Sequence, residues 1–216
     1  MPHRSGVSTY YCQTMTDKLA KILTAATTCI ARNGVRGMRV NDVAAEAGVS
    51  PGLLYYHFTD RAGLLAATLE HINKQVSKDD AAPSSDAEDR ARHFRHLLLD
   101  EIKDDADVRR NSVAWNELRA CSIFEQELAE PLSRTTAEWN REITHAIVAA
   151  SDGASEDEAA VTAEILTSLV EGISGRWLNG FITTDHAHFL LTTAIDSLTT
   201  ARPTTRQEPA EPGLGK

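Results

Sequence analysis

Apolar side chains along this chain recur at three- and four-residue steps, the spacing of one face of a helix, and no stretch shows the alternation of a strand. Leu19, Ile22, Leu23, Ala26 and Ile30 predict a helix from Thr16, with Asp17 in its first turn and Asn33-Gly34 ending it. Val43 and Ala44 face inward from a second helix, Val40 to Ala47. Gly48 suits the position just past a helix end. Ser50 then makes a good N-cap and Pro51 fits the first helical position, so a third helix follows at once and carries Leu53 and Leu54. Thr59-Asp60 caps a fourth, with Leu64, Leu65, Thr68, Leu69 and Ile72, reaching about Val76.

Beyond the polar, proline-containing break from Asp79 to Asp89, the same periodicity resumes. It predicts helices over Asp86–Lys103 (Phe94, Leu97, Leu98 and Ile102 inward) and Asp107–Cys121 (Val108, Trp115 and Leu118 inward). A long helix opens at Pro131 and runs through Ala149 with the stripe Leu132, Thr136, Trp139, Ile143 and Ile147, and Ser151-Asp152-Gly153 stops it. From Glu156, Val161, Ile165, Leu169, Ile173 and Trp177 repeat every four residues, interleaved with Ala159, Ala163, Ser168, Gly172 and Gly175. Asp185 starts a last helix bearing Phe189, Leu190, Leu191, Ile195 and Leu198. The predicted fold is all-α, with about nine helices. Residues 1–15 read as a flexible leader, 16–60 as a small helical head, 61–200 as a larger helical body, and 201–216 as a disordered tail.

Charge sharpens that division. The net charge of −9 splits into +3 over residues 1–61, with seven Lys/Arg and four Asp/Glu, and −12 over the remaining fifteen and twenty-seven. A basic end on an acidic body still permits phosphate contact at that end and repels DNA elsewhere. Three widely spaced cysteines, Cys12, Cys29 and Cys121, argue against a disulfide framework or a structural zinc site. No apolar run approaches the ~20 residues of a membrane span, and the N-terminus lacks the apolar core of a secretory signal. The expected location is the cytoplasm.

The stretch Val43 to Phe58, VAAEAGVSPGLLYYHF, has the grammar of a helix-turn-helix, whose second helix enters the major groove. From Val43 to Leu65 it resembles the TetR family of one-component repressors, whose pattern is roughly I-A-x-x-A-G-V-S-x-G-x-L-Y-x-H-F-x-x-K-x-x-L. The likeness spans Lys18 to Leu69, about a quarter of the chain. It implies that Ser50, Pro51, Gly52 and Tyr55 lie nearest the bases, that Tyr56 and His57 touch phosphates, and that Arg39, Asn41 and Arg61 pin the DNA backbone. Two positions depart from the pattern. Arg39 stands where the family carries a capping Thr, and Arg61 replaces a Lys.

The resemblance also implies a body that dimerises and holds a small-molecule effector. The broad apolar faces of the last two helices suit a two-fold, four-helix interface, with Val161, Ile165, Leu169, Ile173, Phe189 and Ile195 as candidates. A homodimer would set two recognition helices about 34–36 Å apart on a near-palindromic operator. For the effector site the candidates are Trp115, Glu117, Trp139, Ile143 and Trp177, with Glu171 close to Trp177 in sequence. Aromatic rings beside carboxylates suit a cation. The segment LVEGISGRWLNGFITTDHAHFL resembles the C-terminal part of the betaine-regulator branch, which by itself names no ligand.

Enzyme chemistry finds little purchase. G-x-S-x-G, Walker and G-x-G-x-x-G motifs are missing, Cys121 has no flagged helper, and no cofactor is implied. His93-x-x-His96 and His186-Ala-His188 lack a third ligand at regular spacing, so no metal is expected. The reading is a ligand-responsive DNA-binding regulator, most simply a repressor released from its operator. The alternatives are an activator of the same family and a helical sensor or adaptor dimer that has kept the motif as scaffold.

Overall fold

The computed structural model describes residues 6–76, 86–151 and 153–200, and every regular element among them is helical. In order these are α1 (Gly6–Gly37), α2 (Val40–Ala47), α3 (Pro51–His57), α4 (Arg61–Val76), α5 (Ala87–Leu99) and α6 (Ala106–Ser122). A 3-10 turn (Gln126–Leu128) leads into α7 (Ala129–Ala150), α8 (Glu156–Leu178) and α9 (Thr184–Thr200). The residues expected to form the tail, 201–216, and most of the break before α5 lie outside the described residues.

Most boundaries follow the local chemistry. Asp86 caps α5 by accepting from Glu88 N–H, and Asp105 caps α6 by accepting from Asp107 and Val108. Ser155 and Glu158 close a reciprocal capping box on α8. Three boundaries differ most from the sequence reading, the first being α5, which stops at Leu99, four residues short of Lys103. α1 begins at Gly6 rather than Thr16, because extending an existing helix gains one hydrogen bond per residue ordered and avoids the costly nucleus. α7 begins at Ala129, so Pro131 is its third residue. That position is tolerated because first-turn N–H groups have no partner within the helix.

Two hydrophobic cores organise the chain. The first draws Ile22, Ala26 and Ile30 of α1, Val43 of α2, Leu54 of α3 and Leu64, Leu65 and Leu69 of α4 together with Ala114 and Leu118 of α6. Each fully buried Leu or Ile contributes roughly 1.5–3 kcal/mol. α6 therefore belongs by sequence to the body and by packing to the head. The second core joins α5, α7, α8 and α9 through Phe94, Leu98, Trp139, Ile143, Leu166, Val170, Leu191 and Ile195.

The stripe expected along α8 divides between two faces. Val161, Ile165 and Leu169 are exposed, while Ile173 and Trp177 are buried. A helix turns ~100° per residue, so each four-residue step drifts ~40°, and four steps carry a stripe ~160° around the axis. The continuous buried face is Ala159, Ala163, Leu166, Val170, Ile173 and Trp177 instead. On α9 the same sorting buries Ile195 and leaves Phe189 exposed. Ile173 and Ile195 are thus core residues of one chain, and Val161, Ile165, Leu169 and Phe189 form an apolar outer surface.

Candidate nucleic-acid interface and interior cavity

The α2–α3 corner is built from short-range hydrogen bonds. Gly48 adopts the left-handed conformation (φ 67°, ψ 35°), and its N–H turns back onto Ala44 and Ala45 carbonyls. Val49 N–H reaches the Ala44 carbonyl at 2.9 Å. Ser50 Oγ accepts from Leu53 N–H at 3.4 Å, so α3 starts at Pro51, three residues after the glycine. Leu54 and Phe58 anchor α3 in the first core. The opposite face carries Ser50, Pro51 and Gly52, all exposed, with Tyr55 57% and Tyr56 76% exposed. His57 is half-buried, packs edge-on against Tyr56 at 5.3 Å, and its enclosed Nε2 has no partner among the described residues.

Cations around this corner fall into two groups. Arg32 pairs with Glu46 at 3.3 Å, and Arg36 lies 5.6 Å over the Phe124 ring. Arg61 donates to the Val35 carbonyl at 2.6 Å and pairs with Glu125 at 3.3 Å. Arg39 and Asn41 are exposed, and Arg39 precedes α2 in extended conformation without a side-chain cap. The Thr-to-Arg departure therefore removes a cap and leaves a guanidinium pointing at solvent beside the reading face.

Between the two cores lies a cavity of about 200 Å³, bounded by α4, α6, α7, α8 and the turn after α5. That is below the ~300 Å³ at which pockets for drug-sized ligands begin, so it suits a molecule of a few heavy atoms. Trp115 and Trp139 supply aromatic walls, and Ile72, Val108 and Val170 apolar ones. Asn73, Asn111, Ser112, Asn116 and Ser174 add amides and hydroxyls. Three carboxylates, Asp100, Glu101 and Glu171, complete the lining. One wall is cross-braced: Arg119 pairs with Glu171 at 3.0 Å and donates to Asn116 Oδ1 at 3.2 Å. Glu101 has no such cation among the described residues. Burial, then the nearby Glu142 and Asp100 charges, push its carboxyl up to about 8.

Of the effector-site candidates, Trp115 and Trp139 meet across this cavity, and Glu171 joins them. Ile143 is fully buried in the second core. Trp177 sits in a separate open cleft, where its indole N–H donates to Thr184 Oγ1 at 2.9 Å and Arg109 covers its ring at 5.1 Å. Glu117 points away from the cavity and accepts the Val35 N–H at 3.2 Å. It therefore meets Arg61 at one residue, Val35, although sequence reading had sent the two toward opposite ends of the molecule. Gly34, just before, has φ 71° and ψ 166°, a region essentially reserved for glycine. A Cβ there would stand 2.9 Å from Glu117 Oε2.

Sequence reading passed over Asp100, Glu101 and the polar residues of α6. A signal was present: Val108, Asn111, Ser112, Trp115 and Asn116 fall at i, i+3, i+4, i+7 and i+8. That is one inward stripe carrying amides and a hydroxyl where a closed core would be apolar. Cys29 and Cys121 are buried thiols whose pKa burial raises, which suits small core residues rather than nucleophiles.

The geometry agrees with what the chain is similar to. A family model described as bacterial regulatory proteins, tetR family, matches residues 22–68. A second, described as BetI-type transcriptional repressor, C-terminal, matches residues 87–200. A Rhodococcus sp. crystal structure assigned to the TetR-family regulators is 46% identical, with 85% of this chain and 99% of that one covered and a TM-score of 0.77. The HTH-type transcriptional regulator BetI of Cronobacter sakazakii is 27% identical, over 67% of this chain and 70% of its own length. A Saccharomonospora viridis regulator, solved in complex with choline, shares the fold at 22% identity and a TM-score of 0.67, with 84% of this chain and 96% of that one covered.

Proposed function

The chain belongs to the TetR family of bacterial transcriptional regulators, and from that premise we propose a dimeric repressor that leaves its operator when a small cation enters the cavity. The observation that carries the reading is the sidedness of α3. Leu54 and Phe58 lock it to the head, while Ser50, Pro51, Gly52, Tyr55 and Tyr56 are turned outward. Those five residues read base edges and phosphates, His57 supports Tyr56, and Arg39 and Asn41 hold the flanking backbone. Arg61 acts inside the protein, holding the α1–α2 connection.

The functional boundary between head and body falls near residue 60, with α6 packed against both. Two copies pair through Val161, Ile165, Leu169 and Phe189, which are apolar and exposed on adjacent helices. The effector is a small cation, a choice supported by two indole rings and three carboxylates around one cavity. Among the described residues no helix is long and apolar enough to cross a membrane, and we place the protein in the cytoplasm.

The test is a gel shift with the DNA flanking the protein's own gene, at low salt, with and without small amines. Retardation that amines relieve is the expected result. Failure to retard any fragment at low salt would leave a helical sensor without a DNA role.

A further inference from the structure

Glu101 sits in the turn after α5, half-buried, and its side chain lines the cavity. The carboxylates around it outnumber the cations, and α9 contributes one titratable ring, His188, whose Nε2 lies 3.1 Å from the Leu99 carbonyl and 2.6 Å from the Ile102 carbonyl of the same turn. Asp100 precedes Glu101 and lies 3.8 Å from the His96 ring. Glu142 faces it from α7. Glu171 lines the α8 wall and is already matched by Arg119 of α6. α4 offers Ile72 and Asn73, which carry no charge. An ionised Glu101 would add an unmatched charge to this enclosed group, so the empty cavity favours its neutral form.

A cation entering the cavity reverses that preference. We propose that Glu101 carries a proton while the cavity is empty and releases it when a cationic nitrogen seats beside it, so that effector binding exchanges one cation for one proton. The balance is simple: the Glu101 O–H bond breaks, its electron pair stays on the carboxylate, the proton passes to solvent, and the ligand's charge replaces it. No net charge enters the cavity. A neutral molecule of the same shape has no such exchange available. The inference rests on the reading of the effector as a cation, and it adds that the protein's sensitivity to its effector depends on pH. With the carboxyl at about 8, affinity for a monocation rises about fiftyfold between pH 6 and pH 8 and then levels off, by proton linkage.

Calorimetric titration of the full-length protein with choline and phenethylamine, at pH 7 in phosphate and in Tris, counts the protons. The expected result is roughly 0.9 proton released per cation bound, by the same linkage, and none for the neutral 3,3-dimethyl-1-butanol. Glu101→Gln should abolish the release, and Glu142→Gln, which removes one repelling charge, should reduce it. Cation binding with no proton released, or a release unchanged in Glu101→Gln, would overturn the inference and leave the cationic effector standing. Absence of binding by either amine from pH 6 to pH 9 would remove the cationic reading itself, and this inference with it.

Discussion

The two hydrophobic cores differ in what they leave open. The head core is closed: Ile22, Ile30, Leu54, Leu64, Leu65 and Leu69 are all at most 1% exposed, and α3 is held at one angle by them. The body core is split from it by a cavity that accommodates three carboxylates and two indole rings. Reading DNA requires one fixed surface, which close packing supplies. Sensing a small molecule requires space and polar groups that can meet it when it arrives. α6 touches both, lining the cavity with Trp115 and Asn116 and holding the head through Leu118 and Glu117.

The sharpest way to break the comparison is to delete the same kind of contact on each side. Leu54→Ala should cost about 2–5 kcal/mol, since a closed core cannot collapse around the void. Val170→Ala, at the cavity wall, should cost on the order of 1–2 kcal/mol by the methyl groups removed. Chemical denaturation of both variants measures this, and equal losses would mean that the body is packed as tightly as the head.

Next in size is Gly34→Ala, which forces a side chain into a glycine-only conformation against Glu117. A loss of roughly 1–3 kcal/mol is expected. Pairing it with Glu117→Ala relieves the steric part alone, so the double variant should recover some of the loss.

A smaller effect separates the two arginines. Arg39→Ala should weaken operator binding about equally across sequences and lower the salt slope by about one. Arg61→Ala should leave the salt slope unchanged and lower the thermal midpoint, because its guanidinium is used on Val35 and Glu125. Salt titrations of DNA binding distinguish them.

The smallest effect is on stability against pH. Glu101's carboxyl is raised in the folded chain, so the native state holds more protons than the unfolded one between its ordinary range and about 8. Stability from this group is complete below pH 4.5 and is lost as pH rises through about 8. The wild-type midpoint should fall by on the order of a few °C from pH 6 to pH 9 relative to Glu101→Gln, as thermal melts would record.

Local signals carried most of the helix count, the caps and the head. Gly48, Ser50 and Pro51 act on their immediate neighbours, and hydrogen bonds spanning three or four residues need no distant partner to specify them. The same locality made the sidedness of α3 readable, since Leu54 and Phe58 against Tyr55 and Tyr56 is a pattern within one helix. The true start of α1 escaped because helix extension needs no marked cap.

Tertiary packing decided what sequence spacing could not. Whether Arg61 reaches DNA or Val35, and whether Glu117 reaches a ligand or the same Val35, depends on how α4 and α6 sit against α1. Trp115 and Trp139 share a cavity while Trp177 does not, because helix rotation sets which face each indole occupies. Glu101 shows the difference most plainly. In sequence it is one acid in an acidic body, and only its burial beside Glu142 and Asp100 pushes its carboxyl up. Capping and periodicity are short-range and travel with the chain, whereas desolvation and charge repulsion arise only when distant segments close around a group.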